Sequence, residues 1–176
     1  MIPAERKQTL LAAPTLFQVA RLIGDTLKEV IRTQAEEGQT AESAFGATII
    51  VGGQIKGMEP RLFLIYPEGN FIEASNETPF FQAGETKYGR PIILRAFDPA
   101  MSFEDAIKLL YVSFDSTLKA NLAVGMPLDL HAYETNTFKT GIQRRIPSDD
   151  AYFRATSSAW GDALKAAIDE LPDFNF

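Results

Sequence analysis

Arg61-Leu62-Phe63-Leu64-Ile65-Tyr66-Pro67-Glu68-Gly69-Asn70-Phe71-Ile72-Glu73-Ala74 is the stretch from which the fold can be read. Two apolar, aromatic-rich runs, residues 61–66 and 71–74, flank Pro67-Glu68-Gly69-Asn70. Proline presets φ for a turn and glycine supplies positive φ, so the stretch reads as a β-hairpin. Upstream, residues 45–51 (FGATIIV) are nearly all apolar, the pattern of a strand covered on both faces. Downstream, residues 80–84, 128–133 and 138–146 complete the expected strands.

Three segments around these strands have helical period. In the first, Leu16, Ala20, Ile23, Leu27 and Val30 recur at three- and four-residue steps. Thr15 and Gln18 fit a capping box at its start, and its end is expected near Gly38. The second runs from Ser102 to about Asn121, with Phe103, Ile107, Leu110, Phe114 and Leu118 on one face. The third spans about 150–171, with Phe153, Thr156, Trp160, Leu164, Ala167 and Leu171 inward and Pro172 as the stop. The order is helix, four strands, helices, two strands, helix. Consecutive strands favour antiparallel pairing, so the fold class is α+β rather than a doubly wound parallel sheet. With 176 residues and no dividing linker, residues 1–176 read as a single domain.

Composition narrows the function. Hydrophobic residues at 45% and charged residues at 23% are ordinary for a soluble globular chain. A net charge of −6 argues against sequence-independent nucleic-acid or membrane-surface binding, which need clustered positive charge. Arg144-Arg145 is too little for a phosphate-tracking groove. The absence of cysteine removes disulfides, thiolate nucleophiles and Cys-dependent zinc sites, and is consistent with a reducing cytoplasm. Neither a signal peptide nor a membrane span is read in the sequence.

No active site emerges from the residues alone. His131 is the only histidine, which excludes a histidine-rich metal site, and no Gly-x-Ser-x-Gly elbow offers it a serine. It reads as an ordinary strand histidine. The glycines at 52, 53, 57, 84 and 89 match neither a P-loop nor a dinucleotide fingerprint and read as turn or close-packing positions. The pairs Glu36-Glu37 and Asp149-Asp150 read as solvated surface charge. No cofactor is implied.

The hairpin block, together with Gly52-Gly53-Gln54-Ile55, resembles the bacterial proteasome homologues called Anbu (ancestral beta subunit). So do Gly84-Glu85-Thr86-Lys87-Tyr88-Gly89-Arg90-Pro91-Ile92, Asp115-Ser116-Thr117, Asn121-Leu122-Ala123-Val124-Gly125 and Pro127-Leu128-Asp129-Leu130. The blocks are ungapped and in order from Leu10 onward. Ser102-Phe103-Glu104-Asp105-Ala106 adds a weaker likeness to proteasome beta subunits in general. The resemblance implies an αββα sandwich and an N-terminal-nucleophile, threonine-type peptidase. In such an enzyme the first residue attacks the peptide carbonyl and its own α-amine, with a pKa near ~8, serves as base.

Against that pattern the chain reads as N-terminally truncated. It opens at Met1-Ile2-Pro3 and reaches the family pattern where the second helix should begin, without the opening strands, first helix and nucleophile. Met1 is expected to remain, because Ile2 is not small. None of the twelve glycines is followed by Thr, Ser or Cys, which closes self-cleavage at a Gly-Thr bond. Accessory positions that in proteasome beta subunits carry Ser, Asp and Ser near the amine fall, by resemblance, at Glu85, Ala120 and Ala123. The expectation is an incomplete αββα sandwich, with no catalytic residue present and no peptidase activity. Unpaired strand edges and exposed apolar sheet area should follow. The alternative is a non-catalytic assembly subunit docking onto intact paralogues, and a third reading is an unrelated α+β binding domain. Implied partners are further copies of the chain, and peptide or unfolded protein for a complete family member.

Overall fold

The computed structural model describes residues 9–36 and 46–176. In chain order these form a short 3-10 turn (Leu10–Ala12), α1 (Leu16–Glu36), β1 (Ile49–Gly53), β2 (Arg61–Ile65), β3 (Phe71–Glu73), α2 (Arg90–Ala96), α3 (Phe103–Ala120), β4 (Leu128–Ala132), β5 (Ile142–Ile146) and α4 (Ala151–Asp169). The fold is α+β, as expected, with one antiparallel sheet ordered β1-β2-β3 and a second made of β4-β5. The chain divides into two compact units: residues up to Gly84 with Glu134–Phe138, and Glu85–Tyr133 with Lys139–Phe176.

The hairpin organises the first unit. Gly69 takes φ +85° and its N–H donates to the Tyr66 carbonyl at 2.9 Å, closing the turn between β2 and β3. Phe63 and Ile65 of β2 are fully buried against Ala20 and Leu27 of α1, with Leu16, Ile23, Ile31, Val51 and Phe71 around them. Phe71 packs edge-to-face on Phe17 (centroids 5.2 Å apart) and on Phe63 (5.7 Å). The turn tip meets α1 backbone to backbone: a Cβ on Gly24 would lie 2.2 Å from the Gly69 carbonyl oxygen. Glycine at 24 is what lets the hairpin reach the helix. The capping hydroxyl of Thr15 accepts from the Gln18 N–H at 3.2 Å, and the expected end near Gly38 falls outside the described residues.

The strand expected over 45–51 forms two to four residues later and alternates in burial instead of being covered on both faces. The reason is the register Ile50–Leu64–Ile72, which puts one apolar row on the face away from α1, where Ile50 and Ile72 are exposed. Among the described residues β1 and β3 each pair on one side only. No strand forms over 80–84. Ser75 and Thr78 exchange backbone hydrogen bonds (3.0 and 3.1 Å) that turn the chain after β3, and Pro79 and the positive φ of Gly84 (+79°) bracket the segment.

In the second unit Tyr111, Ile146 and Phe153 form the buried centre, with Ile107, Leu118, Met126, Leu128 and Leu130 packed on it. Ser102 caps α3, its Oγ accepting from the Asp105 N–H at 3.1 Å. The face assigned to α3 from periodicity is partly wrong: Phe103, Leu110 and Phe114 are exposed, whereas Ser113, Asp115 and Thr117 are buried. A short helix absent from the periodicity reading, α2, explains it. A Cβ on Gly89, at the start of α2, would lie 2.3 Å from Ser113 Oγ, so only small side chains permit this approach. Strand β5 starts at Ile142 rather than 138, because Phe138 (φ +48°) and Gly141 (φ +76°) leave the extended conformation.

Helix α4 buries Phe153 and half-buries Thr156 and Trp160, but Leu164, Ala167 and Leu171, expected inward, are exposed. Asp150 is not solvated surface charge. Its side chain is 8% exposed, caps α4 by accepting from the Phe153 N–H at 2.8 Å, and pairs with Arg144 at 2.7 Å.

Candidate functional site

The three positions expected to be accessory, Glu85, Ala120 and Ala123, lie in the second unit, where the close α2–α3 approach brings the loop of residues 85–88 to the C-terminal end of α3. Glu85 is half-buried there, and Asn121 ends the helix, its N–H donating to the Thr117 carbonyl at 2.9 Å. Glu85 Oε1 accepts from the Lys87 N–H at 2.7 Å, and Oε2 accepts from Asn121 Nδ2 at 2.8 Å. The other end of the same amide, Asn121 Oδ1, accepts from the Ala123 N–H at 2.9 Å. One side chain thus ties Glu85 to the loop that carries Ala123.

The Lys87 N–H holds the Glu85 carboxyl below its ordinary value of 4.5. Desolvation opposes this, and the Asn121 amide and the Lys87 charge add to it. Glu85 is therefore a carboxylate at neutral pH, kept in place by neutral donors, with lone pairs left to accept from a further donor. Ala120 and Ala123 are exposed and offer only methyl groups. The arrangement can hold a negative charge and fix two loops. Among Glu85, Ala120, Asn121 and Ala123 there is no hydroxyl or thiol.

Sequence reading named Glu85, Ala120 and Ala123 by resemblance but missed Asn121, whose amide links Glu85 to Ala123. The available signal was an asparagine directly after a helical pattern, where its short amide reaches nearby backbone.

The remaining candidates of the second unit lie exposed on its strands. His131 lies exposed on β4 with Nε2 against the Thr140 carbonyl oxygen. Arg145 pairs with Asp129 at 3.2 Å, so the adjacent basic pair is matched by carboxylates. No group of three or more His, Cys, Asp or Glu among the described residues could hold a metal ion. No described helix is long and apolar enough to cross a membrane. In the first unit, Leu10, Leu22, Ile23, Leu27, Val30 and Ile49 line an open apolar groove of about 420 Å³.

Comparison with known proteins supplies the family. The model of the proteasome subunit family matches residues 22–128. No curated protein matches. Anbu from Hyphomicrobium sp. strain MC1 is 46% identical over 99% of this chain and 71% of its own, with a TM-score of 0.86. Anbu (ancestral beta-subunit) from Yersinia bercovieri is 40% identical over 98% of this chain and 72% of its own, TM-score 0.88. The helical assembly of the Anbu complex from Pseudomonas aeruginosa is 38% identical over 98% and 71%, TM-score 0.88. By the family model and by these identities, the chain belongs to the proteasome subunit family and, within it, to the Anbu proteins.

Proposed function

We propose that the chain is a proteasome-type subunit, of the N-terminal-nucleophile kind that acts on peptides, and that it works in the cytoplasm within an assembly of like subunits. By themselves the 176 residues hydrolyse no peptide bond. The observation that carries this reading is the sequence around the glycines: none of the twelve precedes Thr, Ser or Cys, so self-processing exposes no nucleophile from within these residues. The methyl side chains at Ala120 and Ala123 support it, since neither can hydrogen-bond an α-amine. The family match over 22–128 spans residues of both compact units, which supports treating 1–176 as one proteasome-beta-like domain. Purified chain incubated with fluorogenic peptides should release no fluorophore above the blank. Turnover that co-elutes with the chain would refute the reading.

The second reading is a non-catalytic subunit that docks onto a paralogue. It is favoured by the exposed Ile50 and Ile72 on the sheet face away from α1. Co-purification with a paralogue from the source cell would support it, and a genome with no second copy would remove it.

A further inference from the structure

We draw no further inference here: the strongest candidate, the edge of β1 away from β2 together with the apolar groove that Leu22, Leu27, Val30 and Ile49 line beside it, carries nothing because nothing among the described residues shows what covers it.

Discussion

Two glycine-to-alanine substitutions, in α1 and in α4, should move stability in opposite directions. In a helix interior alanine is better than glycine by about 1 kcal/mol. At Gly161 nothing lies within 4 Å of the added Cβ, so Gly161→Ala should keep that gain. At Gly24 the Cβ would sit 2.2 Å from the Gly69 carbonyl oxygen, a backbone atom that no rotamer change can move. To reach even 3.0 Å, the turn tip must retreat by about 0.8 Å from α1. That retreat loosens the contact of Phe71 and Phe63 with the helix. Overpacking of this kind costs ~2–3 kcal/mol, which exceeds the propensity gain and leaves a net loss of ~1–2 kcal/mol. For a chain of this length, 1 kcal/mol corresponds to about 2–4 °C in Tm. Differential scanning fluorimetry should therefore place Gly24→Ala about 2–8 °C below wild type and Gly161→Ala about 2–4 °C above it. If Gly24→Ala is as stabilising as Gly161→Ala, the hairpin does not rest on α1 through its backbone and the reasoning fails.

Further outcomes follow from the same geometry. Phe63→Ala removes a fully buried ring from the first unit and should cost ~3–5 kcal/mol in urea denaturation. The Asp150 carboxyl is held below its ordinary 3.8, first by the Phe153 N–H and then by Arg144, against desolvation. Its contribution is therefore complete above 3.8 and lost as pH falls through the lower folded value. Asp150→Asn, which keeps a capping oxygen, should lower stability at neutral pH and flatten the acid limb of the Tm-against-pH curve. An unchanged limb would assign the acid sensitivity elsewhere. Asn121→Ala should raise the carboxyl pKa of Glu85 in a carbon-13 NMR titration, but only partly, because the Lys87 N–H remains the larger cause. It should also deprotect the Ala123 amide against hydrogen exchange.

The hairpin, α1 and the capped start of α3 were legible because local rules decided them: turn chemistry at Gly69, hydroxyl caps at Thr15 and Ser102, and a regular apolar period. What misled were faces fixed by a neighbour. The buried side of α3 holds Ser113 and Thr117 rather than Phe114 because Gly89 approaches it, and that contact links segments whose pairing no periodicity records. The open half of α4 is the converse case: Leu164 has inward spacing but lies past the end of its partner helix. At the candidate site, Glu85, Ala120 and Ala123 were named by resemblance alone. Asn121 was not, since its role depends on a bond across 36 positions.

The reciprocal contact between Gln54 and Asn136 bears on how the chain is made. Gln54 Nε2 donates to Asn136 Oδ1, and the Asn136 N–H donates to Gln54 Oε1, both at 2.8 Å, across 82 positions of sequence. Residues 134–138 thus complete a unit whose other members precede Glu85. During synthesis at about 5–20 residues per second, the turn after β1 waits ~4–16 s for its counterpart to leave the ribosome. Over that interval the hairpin and α1 can pack, but the first unit stays unclasped, and a nascent chain arrested before residue 134 should present it in a protease-sensitive form.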